Sequence, residues 1–495
     1  MSTAKVEKKP DNNLNIDSAS MEQELEFFRQ RFPEYEKTTQ IDELRAEEYG
    51  RLDRVGHVYL DYTGGGMYSE YQLREHGKFL KDGIFGNPHS NNPSSLASTK
   101  VDESARRYVL EYFNASPEEY TVIFTHNASG ALKIVGESYP FGPGSRYLLT
   151  FDNHNAVNGM REFARAKCAS ITYVPNAAPE LRIDETRIEE ELAKPNPHAR
   201  NLFVYPAQSN FSGVQHSLEW ISKAHAFGWD VVLDAAAFVP TNELDLSKYH
   251  PDFVPLSFYK MIGYPTGVGC LIAKRSALKF LRPPWFAGGT IEMASVQGDR
   301  YLLSEGEKAF EEGTIDYLNL PAVEIGLRYM KQIGVQKIHE RVTSLTAWLL
   351  EKLAGLHHKN GTPVIEIYGP RDTLSRGGSI ALNFLDQNGR VFNFHYVEEA
   401  SSAFNISLRT GCFCNPGAGE IAFGLTKTDL VACFDEEERA SFERCIIAAK
   451  GKTAGAVRIS LGIVSNFSDV YNFVRFAETF RDKSGKGESE KSSSD

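Results

Sequence analysis

The sequence predicts an α/β protein: a large domain on a mostly parallel sheet, then a smaller α+β domain. Three observations predict it. Short apolar runs alternate with helical stretches through the middle of the chain; Gly, Pro, Asn or Asp bounds each run; and the pattern changes character at Pro321. Strand and helix in alternation place helices on both faces of a parallel sheet. The 495 residues, 41% apolar and 24% charged, supply ample core and exclude a disordered chain or a disulfide-held miniprotein.

In chain order, residues 1–20 are polar and charged; disorder is expected there, and no apolar stretch marks a secretory signal. Residues 21–55 carry a helical pattern at about 21–32 and are expected to pack with the small domain. The large domain is assigned to 56–320. Its strand candidates are 58–62, 120–125, 146–151, 170–174, 201–205, 230–234, 253–257 and 269–273, all rich in Val, Leu, Ile or Tyr. Helical patterns at 128–137, 156–166, 184–193 and 218–227 lie between them. The small domain is assigned to 321–480. It opens with one long helical pattern over 324–353, stopped by Gly355. Strands at 364–368, 378–385 and 456–461, a loop near 409–420 and a last helix at 466–481 complete it. The tail, 481–495, is low-complexity and expected to be disordered.

Charge and cysteine content narrow the function. A net charge of −11 argues against nucleic acid or an anionic membrane as a general partner. No apolar run approaches the ~18 residues of a membrane span. Six cysteines are too few for a disulfide framework, so reduced thiols in the cytoplasm are expected.

In a parallel α/β sheet, ligands bind at the carboxyl ends of the strands. Thr125-His126-Asn127-Ala128-Ser129-Gly130 follows one strand and opens a helix, either as a plain N-cap or as an anion cradle. His154 follows the next; it is a structural histidine, or it stacks on a flat cofactor or moves a proton. Asn210, in a loop after the strand at 201–205, bonds its own backbone or a ligand. Asp234 closes an apolar strand, as a helix cap or as counter-ion to a protonated ring nitrogen. Lys260 ends Ser257-Phe258-Tyr259-Lys260 among aromatic and apolar residues, where burial lowers an amine's pKa as a covalent nucleophile requires. Each signal is weak alone. Cradle, His, Asn, Asp and Lys on successive strand ends together make a parts list for pyridoxal phosphate.

These local sequences resemble the class V aminotransferase family of pyridoxal-phosphate enzymes, which includes the cysteine desulfurases. Within it the chain is most similar to the N-terminal sulfurase domain of molybdenum cofactor sulfurases. The segments that carry the resemblance are Tyr59-Leu60-Asp61-Tyr62, Gly86-Asn87-Pro88-His89-Ser90, Ser257-Phe258-Tyr259-Lys260, Gly263-Tyr264-Pro265-Thr266-Gly267, Arg409-Thr410-Gly411-Cys412-Phe413-Cys414-Asn415-Pro416-Gly417 and Gly455-Ala456-Val457-Arg458-Ile459-Ser460.

The resemblance implies the fold type I architecture of pyridoxal-phosphate transferases and pyridoxal 5'-phosphate as cofactor. It implies that Lys260 carries the cofactor and moves the substrate's Cα proton, that Asp234 keeps the ring nitrogen protonated, and that His154 stacks on the ring. Ala128, Ser129, Ser257 and Tyr259 would bind the phosphate, and Gly289-Thr290 would reach the phosphate of a neighbouring subunit, which implies a homodimer. Asn210 would contact the cofactor hydroxyl or the substrate. Arg458 would pair with the substrate α-carboxylate, with Arg409 nearby in the same site. Two departures stand out. Ala237 occupies a position that is Gln or His in many desulfurases, and Thr63-Gly64-Gly65-Gly66 is richer in glycine than the family pattern, which would leave room above the cofactor.

Cys412 and Cys414 lie one residue apart in a glycine-containing loop. A zinc half-site is disfavoured, because no second Cys/His pair has matching spacing. Two core thiols are an alternative, but the flanking residues describe an accessible, cationic loop that favours a reactive thiolate. By resemblance, Cys414 is the expected persulfide carrier and Cys412 its neighbour. The implied reaction is desulfuration of L-cysteine to alanine with sulfur passed to Cys414; C–S lysis of a cysteine conjugate, or another reaction of the family, is the alternative. Full-length molybdenum cofactor sulfurases carry a further C-terminal domain. Little sequence follows residue 481, so a separate sulfur-acceptor protein or a stand-alone relative is expected.

Overall fold

The computed structural model describes residues 18–88, 90–434, 443–447 and 453–484. The terminal segments expected to be disordered fall largely outside them, as does His89.

Seven strands form the central sheet in the spatial order Tyr120–Thr125, Gly269–Lys274, Phe253–Ser257, Trp229–Asp234, Asn201–Pro206, Arg146–Thr150 and Ser170–Val174. Gly269–Lys274 runs antiparallel to both of its neighbours, and the other adjacent pairs are parallel. These strands are apolar on both faces, as a sheet covered on both sides requires. Ile123, Leu149, Val204, Val232 and Leu271 pack in one cluster with residues of the helices Ala128–Ser138 and Asn155–Ala166. Alternate residues, Val122, Leu148, Phe203, Val231 and Ile272, join a second cluster that continues into the C-terminal part of the chain.

The second sheet has four antiparallel strands in the order Ile365–Tyr368, Ser379–Phe384, Ala456–Ser460 and Arg409–Gly411. The long helical pattern before it divides into Leu320–Ile333 and Val335–Ala354. Gly334, at φ +90°, breaks it in a backbone conformation that β-carbon-bearing residues avoid. Apolar periodicity runs through the break, which is why the sequence reads as one helix.

The N-terminal helices pack on this second sheet's helices. Phe28 of Ser18–Arg31 lies against Trp348 and Phe467, with ring centroids 6.3 and 5.0 Å apart. Arg45 reaches across to Asp469 at 2.5 Å, and both side chains are buried.

Two features depart from the sequence reading. Cys433 and Cys445, 12 residues apart, form a disulfide, where reduced thiols are expected. The hairpin Ile291–Ser295/Arg300–Leu303 was not foreseen, and it leaves Met293, Val296, Tyr301 and Leu302 exposed. Among the described residues, no helix is long and apolar enough to cross a membrane.

Candidate active site

The carboxyl ends of the parallel strands open into a cleft of about 160 Å³. Ala128, Ser129, His154, Asn210, Asp234, Ser257, Tyr259 and Lys260 all line it. Residues scattered over more than a hundred positions thus converge on one volume because each lies at, or just beyond, a strand end.

At one side the helix Ala128–Ser138 points its N-terminus into the cleft. Asn127 caps it by accepting from the Gly130 N–H at 2.9 Å, and Ser257 Oγ accepts from the Ala128 N–H at 2.8 Å. The Ser129 N–H and hydroxyl have no protein partner among the described residues, and they sit where free amides and the helix dipole favour an anion. The hydroxyl hydrogen of Ser257, whose oxygen is already accepting, is free to point the same way.

Across the cleft, Asp234 is buried. Its Oδ1 accepts from the Ala236 N–H at 3.0 Å, while Oδ2 has no protein donor among the described residues and faces the cleft. A buried carboxylate with one open oxygen suits a protonated ring nitrogen.

Lys260 lies in the short helix Phe258–Ile262 that follows its strand. Burial lowers its amine below the ordinary lysine range; Asp234 pulls it back up, Arg458 pushes it down, and Cys414 raises it again. The result favours a neutral, nucleophilic amine. His154 caps the helix Asn155–Ala166, its Nδ1 accepting from the Ala156 N–H at 3.1 Å. Burial, and then Lys260, holds its imidazole below the usual range, with Asp234 opposing. A neutral ring with Nδ1 accepting carries its proton on Nε2. An anion cradle at one end, an open carboxylate at the other and a neutral amine between them fit pyridoxal phosphate.

Asp234 offers a sign test. Because its charge raises the Lys260 pKa, Asp234→Asn is expected to move the acid limb of apoprotein loading by pyridoxal phosphate to lower pH, read as loading rate against pH. An unmoved or higher limb would break the coupling between the two residues.

Cys414 sits on the rim of this cleft in a pinned loop. Phe413 and Cys414 are both left-handed, at φ +54° and +56°, although neither is glycine. Such residues cost on the order of 1–3 kcal/mol each and persist where the surroundings over-determine them. Here those surroundings are specific. The Asn155 N–H donates to Cys414 O at 2.7 Å, Asn210 Nδ2 to Phe413 O at 2.7 Å, and Asn415 Nδ2 to Asp152 O at 2.7 Å and to Asn210 Oδ1 at 2.9 Å. The Phe413 ring packs on Phe211, centroids 5.3 Å apart, in a small apolar cluster. Gly417 touches the Phe151 carbonyl so closely that a β-carbon would lie 2.1 Å from its oxygen. The Cys412 and Cys414 side chains remain exposed. Cys414 acts electrostatically on Lys260, Tyr259 and Arg458.

Three of the expected ligand contacts meet partners within the protein. Asn210 lines the cleft, and its amide is engaged at both ends by the cysteine loop, which leaves one N–H and one oxygen lone pair for a ligand. Arg458 is buried and already paired: it donates to Asp61 Oδ1 at 3.0 Å and to Asn210 O at 2.9 Å, while Arg409 Nε donates to Asp61 Oδ2 at 3.0 Å. Thr290 lies outside this cleft, its hydroxyl bonded to the backbone of Ala287 in a turn. The glycines at 64–66 also have a different use. A β-carbon on Gly64 would meet the Asp61 carboxylate, and one on Gly66 the backbone beside Lys260. Asp61, Phe413 and Asn415 were quoted from sequence without a role. Asp61 had a readable signal, since it is a carboxylate just after the apolar run Val58-Tyr59-Leu60.

Residues 58–473 match the family model for aminotransferase class-V. The chain belongs to that family. The molybdenum cofactor sulfurase of Solanum lycopersicum is 35% identical over 498 aligned residues, which cover 94% of this chain and 60% of that one. The chain thus spans about three-fifths of the length of that relative. Among solved structures, the apo cysteine desulfurase of Thermococcus onnurineus NA1 superposes with a TM-score of 0.72 at 23% identity, covering 88% of this chain and 97% of that one. A C-DES mutant whose cofactor, PLP, is covalently linked to glycine superposes at 0.65 with 16% identity, covering 88% and 99%. The family's fold is therefore the fold of this chain, with the large mostly parallel sheet and smaller second sheet expected from sequence.

Proposed function

We propose that this chain is a pyridoxal-phosphate-dependent, cysteine desulfurase-like sulfurtransferase that converts L-cysteine to alanine and takes the sulfur as a persulfide on Cys414. The observation that carries the reading is the cysteine loop, pinned so that the Cys414 thiol stands at the rim of the cleft whose floor holds Lys260. A lyase that releases sulfur to solvent needs no acceptor thiol, so the alternative gains nothing from a loop held in a costly backbone.

The bound cofactor supplies an electron sink for the carbanion formed at the amino acid's Cα. The chain's residues do the rest. Ser129, Ser257 and the helix N-terminus would hold the phosphate, with Tyr259 lining the same cleft. Asp234 Oδ2 would keep a proton at the ring nitrogen, and neutral His154 would face the cofactor. Lys260 would anchor the cofactor and, as a neutral amine, take the substrate's Cα proton. The Cys414 thiolate attacks the substrate sulfur. The Cβ–Sγ bond breaks, its electron pair stays on carbon, and protonation there yields alanine while the sulfur remains on Cys414. A homodimer in which Thr290 serves the partner's site is part of this proposal, supported by the exposed apolar hairpin beside Thr290; a monomer in sedimentation would remove it.

The test is product analysis. Holoenzyme given L-cysteine and a reductant is expected to form alanine and sulfide in equal amounts, with neither formed by Lys260→Ala. Pyruvate and ammonia in place of alanine would select the lyase.

A further inference from the structure

Asp61 has a place in this site that neither desulfuration chemistry nor packing demands. Arg409 and Arg458 stand directly opposite each other on neighbouring antiparallel strands. Like charges in that register repel unless an anion lies between them. Asp61 is that anion: Oδ1 accepts from Arg458 at 3.0 Å and Oδ2 from Arg409 at 3.0 Å. Two cations share one carboxylate. Arg458, 3% exposed, also keeps Nε buried without a partner. Its guanidinium lies over the Phe413 ring, 4.9 Å from the centroid, and Cys414 is close enough to act on it electrostatically. The pair therefore carries one positive charge more than Asp61 supplies, so a second carboxylate at the base of the cysteine loop would compete with Asp61 for Arg458.

The backbone is built to admit Asp61 to this place. A β-carbon on Gly64 would lie 2.4 Å from Asp61 Oδ2 and 2.6 Å from Oδ1, so only glycine there leaves the carboxylate its berth. Gly64 does not have a positive φ, so the reason is space and not backbone conformation.

We propose that Asp61 is an internal stand-in for the substrate's α-carboxylate: it pairs with both Arg458 and Arg409 in the free protein and gives up Arg458 when an amino acid enters. It is a positioning and specificity residue, resting on the pyridoxal-phosphate reading above. The competition sets affinity: a ligand must bring its own carboxylate to displace a bonded one. An amine without a carboxylate leaves Asp61 in place.

The test uses holoenzyme and two amines that carry no sulfur, L-alanine and its decarboxylated counterpart ethylamine, with binding read from the cofactor's absorbance. Asp61→Asn is expected to bind L-alanine about tenfold tighter than the parent, the scale of one charge-assisted hydrogen bond released from competition. Ethylamine affinity should stay the same. Gly64→Ala keeps the charge but displaces the carboxylate, and is expected to shift L-alanine binding in the same direction. Thermal unfolding gives a readout apart from chemistry: Asp61→Asn should melt lower than the parent when free, because Arg458 is left buried beside Arg409 without its anion, and L-alanine should restore more of its stability than the parent gains. If both variants load the cofactor yet bind L-alanine no tighter, or more weakly, Asp61 serves only to orient the arginines and the proposal is wrong while the cofactor reading survives. If the parent itself shows no cofactor absorbance with pyridoxal phosphate, the cofactor reading falls and this assignment with it.

Discussion

Cys414→Ala is expected to lose sulfide release from L-cysteine by three orders of magnitude or more, while cofactor absorbance stays that of the parent. The magnitude follows from position. A nucleophile fixed beside its target acts at an effective concentration of about 10⁵ M or higher, which a dissolved thiol reductant at millimolar levels cannot replace. Cys414 has the position: its carbonyl is held by the Asn155 N–H, its neighbour Phe413 by Asn210, and it acts electrostatically on Lys260. Cys412→Ala is the control. Cys412 is exposed on the same loop, and that variant is expected to keep rates within a few-fold of the parent. Equal sulfide release from Cys414→Ala and parent would remove the acceptor thiol from the chemistry.

Gly417→Ala is expected to be almost as damaging, although residue 417 touches neither the cleft nor a thiol. Its β-carbon would lie 2.1 Å from the Phe151 oxygen and 2.9 Å from the carbonyl carbon. Phe151 yields with difficulty, because its N–H is bonded to the Val174 carbonyl at the end of the sheet's edge strand. The helix Pro416–Ala422 must move instead, and with it the bonds from Asn415 that seat the loop. A displacement of about 1 Å at a reacting group costs on the order of 10²-fold in rate. The expected signature is a loss in kcat for desulfuration with unchanged cofactor loading and little change in L-alanine binding, since Lys260 and Asp234 lie on other elements. A variant with parental kcat would mean that the loop does not need this seat.

Much of the large domain was legible from sequence, because parallel strands covered on both faces are apolar throughout and end in Gly, Asn or Asp. The strands Tyr120–Thr125, Ser170–Val174 and Phe253–Ser257 begin and end where the apolar runs do. The strand-end residues were legible for the same reason: a His, Asp or Lys closing an apolar run has few structural uses. The break at Gly334 was not, since helical periodicity is blind to one left-handed residue. Nor were the true partners of the polar side chains. Asn210 bonds a carbonyl 203 residues away and Arg458 a carboxylate 397 residues away. Either side chain could equally hold a ligand, and spacing along the chain cannot distinguish the two. The glycines at 64–66 show the same limit. Sequence reads them as open space, whereas Gly64 is filled to contact by Asp61.

The central claim is that sulfur passes from L-cysteine to Cys414, and mass spectrometry of the loop peptide tests it most directly. Holoenzyme incubated briefly with L-cysteine without reductant, then alkylated and digested, should yield the peptide containing Cys412 and Cys414 heavier by one sulfur atom, with fragmentation placing that atom on Cys414. Lys260→Ala treated in the same way should yield the unmodified peptide. An unmodified peptide from active parent enzyme, or an added sulfur carried on Cys412, would contradict the account.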